Sequence, residues 1–350
     1  MLLCAVLLAG VAGPLRAQPG VVLSSDVLLY GDNTEFRNPF REGETIFGAA
    51  LRAGADLELA PAVTLRVGAF GNFRFGSEDA FELVRPVIAL DVRHGASTFV
   101  IGTLPPPDLL RRSGPDQAGP HRLLPAIQRE TLTFDRPHEA GLMWRLDLPR
   151  LQHQAWVNWQ RLNTPAHRER FDAGAAGSFR VTGALSLPVQ LHVVHEGGQQ
   201  FASGPVADSL AVAAGAALES ATGEATRLSV EILGAASRYV PDRSRPRASR
   251  SGAALFVRAA VVRGPWRGHL IVWRGDDFIK VEGDPNYQAL RRDGSRWPGV
   301  RDYAEAGLTR SFHPADGVRL EASARAHRTE RFYEYSFRVL AAVAVRARVR

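Results

Sequence analysis

Residues 48–75, GAALRAGADLELAPAVTLRVGAFGNFRF, alternate between apolar and polar side chains along two arms that meet at Pro61. Odd positions are mostly apolar, whereas even positions carry charged groups such as Arg52, Asp56 and Arg66. A period of two puts successive side chains on opposite faces, so each arm is predicted to be a strand with one apolar and one charged face. Each arm has about a dozen residues, and at roughly 3.3 Å per residue a tilted strand of that length crosses a bilayer core of about 30 Å.

The same alternation recurs along the chain, and the connections between alternating segments are short and long in turn. Short turns are predicted at residues 60–62, 94–96, 149–150, 183–184, 264–265 and 314–317, with a slightly longer one at 221–224. The longer loops are predicted at residues 31–44, 105–137, 197–208, 241–250 and 276–302. This pattern predicts an all-β fold, a transmembrane antiparallel up-and-down β-barrel of about 16 strands, with about 14 to 18 as the range.

The N-terminus and the remainder of the chain are predicted to have separate roles. Residues 1–17, MLLCAVLLAGVAGPLRA, combine an apolar core with a helix-breaking Gly-Pro pair and a small final residue, which predicts a cleaved secretory signal peptide. Residues 18–350 then form a single barrel domain. Cys4, the sole cysteine, lies in the signal peptide, so no disulfide is expected in the barrel. Beyond the N-terminus no apolar run reaches about 18 residues, which excludes a helical membrane protein.

The charge balance is basic, with 43 Lys and Arg residues against 36 Asp and Glu residues. Lys280 is the only lysine, so nearly all of the basic residues are arginines. These arginines are spread along the alternating segments with acids between them, and they form no basic helix or patch. Nucleic-acid binding is therefore not expected.

A secreted soluble all-β binding protein is the structural alternative, because single strands of a β-sandwich also alternate. Two collective features favour the barrel. Nearly every segment has a charged face, and no fully apolar strand is present to form the centre of a soluble core. In lipid an open sheet edge is forbidden, so strands of this kind must close on themselves.

Two segments carry a more specific resemblance: residues 31–48, GDNTEFRNPFREGETIFG, and residues 158–174, NWQRLNTPAHRERFDAG. The overall pattern resembles the bacterial outer-membrane porin class, and these segments resemble a group of uncharacterised outer-membrane barrel proteins. The resemblance implies a location in the bacterial outer membrane. It also implies outer-membrane lipid, small polar solutes and the barrel assembly machinery as partners, and it leaves a monomer and a homo-oligomer open.

Charged residues on the inward face predict a hydrated channel, because charges at that density need water or partners. The predicted function is passive diffusion of small polar or anionic solutes, since inward Arg modestly outnumbers inward acid. The alternative is an ion-paired wall without selectivity. The predicted pore-lining residues are Arg52, Asp56, Arg66, Arg74, Arg85, Arg93, Arg145, Asp147, Asn158, Arg180, His192, Glu231, Arg258, Arg267, Arg319, Glu321, Arg325 and Arg338.

The loop at residues 105–137 is too long to be an idle connection, which predicts a functional or disordered segment. In general porins the loop after the fifth strand folds into the lumen and narrows it, and residues 105–137 are similar in position. The candidate constriction residues are Asp108, Arg111, Arg112, Asp116, His121, Arg122 and Arg129. A surface loop is the alternative.

A barrel enzyme that hydrolyses lipids is the alternative from another functional class. His192 and His195 lie just before Glu196, and His153 has outward parity. No G-x-S-x-G turn, HExxH helix or metal-ligand spacing accompanies these histidines. The sequence therefore predicts no catalytic residue, metal or cofactor, and a non-enzymatic protein.

Overall fold

The computed structural model describes residues 20–106, 120–198, 200–201, 204–222 and 226–349. The predicted signal peptide and four candidate constriction residues, Asp108, Arg111, Arg112 and Asp116, lie outside these ranges. No helix among the described residues is both long and apolar enough to span a membrane.

Sixteen strands form one closed antiparallel barrel in which each strand pairs with its neighbours in sequence. The closing pair joins the first and last strands, with Val21 opposite Val349. The strands are β1 (Gly20–Glu35), β2 (Glu44–Ala60), β3 (Val63–Arg74), β4 (Leu83–His94), β5 (Ser97–Thr103), β6 (Ala140–Asp147), β7 (Leu151–Arg161), β8 (Glu169–Arg180), β9 (Leu185–Gly197), β10 (Ala207–Thr222), β11 (Thr226–Val240), β12 (Arg250–Arg263), β13 (Trp266–Asp276), β14 (Arg301–Ala315), β15 (Val318–Thr329) and β16 (Phe332–Val349). A four-residue helix, α1 (Leu132–Asp135), and two 3-10 turns (Pro246–Ala248 and Pro285–Tyr287) lie in the connections. The prediction of an up-and-down barrel of about 16 strands is confirmed.

The two ends of the barrel differ in the length of their connections. The turn end carries tight connections such as residues 61–62 and 264–265, together with the start of β1 and the end of β16. The loop end carries the long connections, among them residues 36–43, 104–139 and 277–300. In bacterial barrels the short turns face the periplasm and the long loops face outward.

The outer wall is apolar, as a surface in contact with acyl chains must be. Leu51, Ile88, Leu270 and Val345 are among the exposed large hydrophobic side chains that point away from the lumen. Arg310 is a charged residue on this face, at the turn end, and its guanidinium carbon lies 4.5 Å from the ring centre of Phe312 and 5.0 Å from that of Trp266. A position near the membrane interface lowers the cost of such a charge.

In the part of the chain that the structure describes, the lumen contains a packed core instead of an open water column. Leu124 and Ile127 of the connection at residues 120–137 are buried in a cluster with Trp156, Phe256 and Trp273 of the wall. Phe278 and Tyr287 of the connection at residues 277–300 belong to the same cluster. We call residues 120–137 the first inserted segment and residues 277–300 the second inserted segment. Toward the turn end, cavities of about 680 Å³ and 570 Å³ remain.

Candidate functional site

A serine, a histidine, a tyrosine and a glutamate meet inside the barrel wall on β14, β15 and β16; we call them the Ser336 cluster. Ser336 Oγ lies 2.8 Å from His327 Nε2, and His327 Nδ1 lies 2.8 Å from the hydroxyl of Tyr303. The Tyr303 hydroxyl donates to Glu305 Oε2 at 2.7 Å, and the same oxygen lies 3.5 Å from His327 Nδ1. All four residues are buried. This is the nucleophile, base and orienting-group arrangement that hydrolases use.

Strand geometry places these side chains together. Tyr303 and Glu305 are two residues apart on β14 and therefore share the inward face. The register sets Glu305 opposite His327, and on the next ladder Arg325 opposite Ser336. Glu305 is held from its other side by His269 Nε2 at 2.9 Å. The wall thus fixes both the histidine and the carboxylate behind it.

The first inserted segment closes the Ser336 cluster from the centre of the lumen. Glu130 Oε2 accepts from Arg325 Nη1 at 3.0 Å and from Arg338 Nη1 at 2.6 Å. Arg338 also pairs with Asp32 on β1. Burial acts to raise the pKa of Glu130, but attraction to Arg325 and Arg338 outweighs it and holds that pKa below its usual range. A cavity of about 30 Å³, room for a water molecule, remains beside the cluster.

A second polar cluster lies where β8 and β9 meet the second inserted segment; we call Asp172, His192 and Glu282 the Asp172 cluster. His192 Nε2 is 3.2 Å from Asp172 Oδ2 and 4.0 Å from Glu282 Oε2. Asp172 also accepts from Trp156 Nε1 at 3.0 Å and from Asn158 Nδ2 at 2.8 Å. The relative accessibilities of the three side chains are 3% or less.

The only lysine of the chain lies next to this cluster. Lys280 Nζ donates to the carbonyl oxygens of Ser209, at 3.1 Å, and Val281, at 3.0 Å. Burial lowers the pKa of Lys280 to about 7, with Glu282 and Asp172 acting in the opposite direction. An arginine at this position would keep its charge, whereas a buried lysine can lose it near neutral pH.

The predicted pore-lining residues have inward parity, but many are engaged in ion pairs or against the inserted segments. Arg66 bridges Asp56 and Asp91, both at 2.9 Å, and Arg74 holds Asp135 of α1 at 2.9 Å. Other contacts are Arg52 to the carbonyl of Leu104, Asn158 and His192 to Asp172, Arg267 to Thr309, Arg319 to Glu321, and Arg325 and Arg338 to Glu130. Arg85, Arg93 and Arg180 are exposed.

Four of the predicted lining residues meet in the 680 Å³ cavity toward the turn end: Arg145, Asp147, Glu231 and Arg258. Arg258 Nη2 donates to Glu231 Oε2 at 2.6 Å across β11 and β12. This cavity is polar and separated from the loop end by the packed core. It therefore differs from the continuous channel that the sequence predicts.

Three candidate constriction residues belong to the described part of the long loop. His121 Nε2 lies 2.8 Å from Glu139 Oε2, and its ring stacks on Trp156 with 3.8 Å between centres. Arg122 lines the 680 Å³ cavity, and Arg129 pairs with Asp135 at 2.9 Å. His121 and Arg129 are thus anchored inside the packed lumen, whereas Arg122 faces open space.

Sequence reasoning missed Ser336, Tyr303, Glu305, His327 and Glu282 as candidate functional residues. The first four have inward parity, which the alternation shows, but they come from three strands and only the register brings them together. Glu282 has a positive φ of 78° in a connection, and nothing in its local sequence indicates its position beside His192. These residues therefore form no contiguous sequence motif by which their chemistry could be recognised.

The outer wall behind the Ser336 cluster carries a shallow groove of about 940 Å³. Its floor consists of small residues, including Gly268, Ala306 and Ala324, and Leu270 and Phe337 are among the larger side chains that border it. His269 and Arg325, whose side chains point inward, also line it, so the wall separating groove and cluster is one residue thick. An apolar groove on this face lies in contact with acyl chains.

The closed barrel, the apolar outer wall and the long loops at one end define an outer-membrane β-barrel. Solved structures of the same fold include a loop-deletion mutant of OmpT, an outer membrane protein of Vibrio cholerae, with a TM-score of 0.58, 10% identity and coverage of 94% of this chain and 100% of that one. OprD of Pseudomonas aeruginosa gives a TM-score of 0.51, 12% identity and coverage of 95% and 97%. OccK2 (OpdF) of the same species, in complex with glucuronate, gives a TM-score of 0.51 and 11% identity, with coverage of 93% of this chain and 98% of that one.

The chain belongs to the Lipid A 3'-O-deacylase-type family, whose family model matches residues 17–346. No curated protein matches the chain.

Family membership corrects two predictions. The prediction of a passive channel for small polar or anionic solutes was wrong, and so was the prediction of a non-enzymatic protein, because the family is one of lipid-modifying enzymes. The physical reason is that alternation reports which side chains face the lumen and not what fills it. The inward charges that indicated water are largely neutralised by each other and by the inserted segments.

Proposed function

We propose that this protein is an outer-membrane hydrolase that removes an ester-linked acyl chain from a lipid A-type lipid. The observation that carries the proposal is the 2.8 Å contact between Ser336 Oγ and His327 Nε2, backed by Glu305 and Tyr303, in a chain of this family. The proposal places the outer-leaflet lipid at the loop end. A lipid-hydrolysing barrel was the enzyme alternative in the sequence analysis. Ser336 and His327 are the catalytic residues proposed for it, and Glu305 and Tyr303 are the residues that position them.

The proposed chemistry follows from the positions of the atoms. Ser336 Oγ attacks the ester carbonyl while His327 Nε2 accepts the hydroxyl proton, and the same proton passes to the leaving alkoxide of the lipid. A water molecule then attacks the acyl-serine, with His327 again acting as the base, and releases the fatty acid. Glu305, through its carboxylate and the Tyr303 hydroxyl, orients the imidazole and stabilises its cationic form.

The loop end offers a cationic surface for a phosphorylated headgroup. The connection at residues 241–249 contains Arg243, Arg245 and Arg247 against one acid, Asp242. Arg243 pairs with Asp208 of β10 and Arg245 with Asp242, but the side chains of the two arginines remain 60% and 80% exposed. Arginine recognises phosphate through paired hydrogen bonds, so this surface suits the phosphates of an anionic lipid.

Access to the Ser336 cluster requires movement at the loop end. The 30 Å³ cavity has room for a water molecule but not for an acyl ester, and Phe36 and Glu130 are among the residues that line it. In the proposal, the connection at residues 36–43 and the first inserted segment move apart to admit the substrate. The external groove then supports the acyl chains that remain in the membrane.

The test is release of fatty acid from lipid A by the refolded protein in mixed micelles, followed by mass spectrometry. The wild type is expected to release the 3'-linked chain. His327→Gln and Ser336→Ala are each expected to lower the rate by at least about 10²-fold, the usual size of a lost acid–base contribution.

Ser323→Ala is the matched control. Ser323 is a buried serine on the same inner wall, and its hydroxyl has no hydrogen-bond partner among the described residues. Its rate should equal that of the wild type. A folded wild type without deacylation, or full activity in Ser336→Ala, would overturn the proposal.

A further inference from the structure

The Asp172 cluster joins three ligand-type side chains from three separate parts of the chain. Asp172 lies on β8, His192 on β9, and Glu282 on the second inserted segment. One donor atom from each lies within 4.8 Å of the other two. The cluster is distant in sequence from the residues of the Ser336 cluster, and the proposed deacylation does not use it.

The distances suit a small cation. His192 Nε2 is 3.2 Å from Asp172 Oδ2 and 4.0 Å from Glu282 Oε2. Ligands that bind a tetrahedral ion at about 2.0–2.2 Å lie roughly 3.3–3.6 Å from each other, so small adjustments place all three around one centre.

One ligand atom is buried without a hydrogen-bond partner. Glu282 Oε1 accepts from Gln160 at 3.0 Å, Arg170 at 2.9 Å and Arg136 at 2.8 Å, whereas Oε2 accepts from none of the described residues. The Glu282 side chain is only 3% exposed, so bulk solvent does not reach this oxygen. A buried carboxylate oxygen in that state is costly unless a cation or a donor occupies the space in front of it.

The surrounding groups orient the two carboxylate ligands as outer partners of a metal site do. Trp156, Asn158 and Gln160 hold the Asp172 carboxylate, and Arg136 and Arg170 hold the far oxygen of Glu282. The Lys280 ammonium donates to backbone carbonyls and not to either carboxylate. Among the described residues, none therefore donates a hydrogen bond into the space between His192 and Glu282 Oε2.

We propose that Asp172, His192 and Glu282 bind one divalent transition-metal ion, with Zn²⁺ as the best match. One imidazole and two carboxylates suit Zn²⁺ or Mn²⁺ better than Mg²⁺ or Ca²⁺, which prefer oxygen-only sites. The two carboxylates offer the ion oxygens that carry negative charge, although Arg136 and Arg170 share the charge of Glu282 through its other oxygen. The bound ion would attach the second inserted segment to the barrel wall at β8 and β9.

The experiment uses the full refolded barrel after treatment with chelator. Zn²⁺ binding is measured by calorimetry, Co²⁺ binding by its visible absorption, and folding by heat-modifiable gel mobility. The wild type is expected to bind one equivalent of either ion and to unfold at a higher temperature when loaded.

Glu282→Gln and Asp172→Asn are each expected to weaken metal binding by at least about 100-fold. Loss of an outer-shell partner weakens binding by up to about 100-fold, and loss of a direct ligand should cost at least as much. His195→Gln is the matched control, because His195 pairs with Asp208 at 2.8 Å and no third ligand-type group joins that pair among the described residues. Its Zn²⁺ binding should equal that of the wild type. Glu282 lies outside the strands, so Glu282→Gln tests the site even if Asp172→Asn does not fold.

Absence of uptake by the folded wild type would overturn the proposal, and so would unchanged stoichiometry and affinity in folded Glu282→Gln. The inference is independent of the proposed deacylase activity. Metal uptake without deacylation, or deacylation without metal uptake, would separate the two.

Discussion

At the scale of single residues, Gly307 shows how the wall accommodates the Ser336 cluster. A Cβ atom at Gly307 would lie 2.1 Å from His269 Cε1, so the imidazole occupies the space that any other residue would need. His269 in turn holds Glu305 at 2.9 Å. The absence of a side chain at Gly307 thus leaves room for His269, and His269 holds the Glu305 carboxylate behind His327.

Gly307→Ala is expected to push His269 away from Glu305. The overpacked wall should lose about 1–3 kcal/mol in free energy of unfolding, measured by urea titration in detergent. If Glu305 orients His327 as proposed, the deacylation rate should fall as well.

Gly234→Ala is the control for this substitution. Gly234 also lies in a strand, but a Cβ there would have no neighbour nearer than the carbonyl oxygen of Ala214 at 4.0 Å. Its stability should stay within about 0.5 kcal/mol of the wild type, as for substitutions that disturb no special feature. Equal losses in both variants would rule out the role assigned to His269.

At the scale of elements, the first inserted segment is attached to the wall by charge as well as by packing. Glu130 contacts Arg325 and Arg338, which come from β15 and β16. Because these contacts favour the ionised carboxylate, the folded-state pKa of Glu130 is below its ordinary value. The attachment of the segment therefore depends on pH.

The sign of that dependence follows from linkage. Stabilisation by Glu130 is fully present above the ordinary glutamate pKa of about 4.3 and is lost as the pH falls below it through the lower folded value. Glu130→Gln should destabilise the barrel by about 3–5 kcal/mol at neutral pH, since the largely buried Arg325 and Arg338 each lose one of their carboxylate partners. The difference in unfolding free energy between wild type and variant should shrink as the pH falls below about 4.3.

Glu58→Gln serves as the comparison for this experiment. Glu58 pairs with Arg348 at 2.7 Å, but the two side chains are 38% and 62% exposed, and exposed pairs contribute about 0–1 kcal/mol. Its unfolding free energy should follow that of the wild type at every pH. A pH-independent effect of Glu130→Gln would contradict the ionic account of the attachment.

At the scale of the whole molecule, the barrel depends on a lipid-facing surface that is apolar at mid-depth. Leu51 lies near the middle of β2 and Leu59 at its turn end, and both point outward with about half of their surface exposed. Leu51→Arg should lower the free energy of folding into lipid vesicles by about 2–4 kcal/mol, and Leu59→Arg by about 0–1 kcal/mol. Equal costs would contradict the membrane orientation of this strand.

Much of the barrel could be predicted from the sequence, because the alternation of apolar and charged residues in each strand shows which side chains face the lipid and which face the lumen. The alternation around Arg52 and Asp56 assigns one face inward and the other outward, and short and long connections give the strand number and the two ends. The same rule gave inward parity to Arg325, Arg338 and His192. These are local properties, and they need no knowledge of distant contacts.

The candidate sites could not be predicted in the same way. Ser336 meets His327 through the register of β15 and β16, and Glu282 meets His192 through a connection that enters the lumen. Neither pair has a spacing that a catalytic or metal motif would show. The channel prediction failed at this level, because residues 120–137 and 277–300 pair with wall charges that would otherwise face water.

The alternation of apolar and charged side chains already specifies a closed barrel with an apolar outside and a charged inside, because the backbone of each strand fixes which side chains share a face. What fills the barrel depends on tertiary contacts. Strand register and the course of the inserted segments are set by contacts between residues far apart in the chain. Those contacts form the Ser336 and Asp172 clusters where the sequence alone indicated a channel.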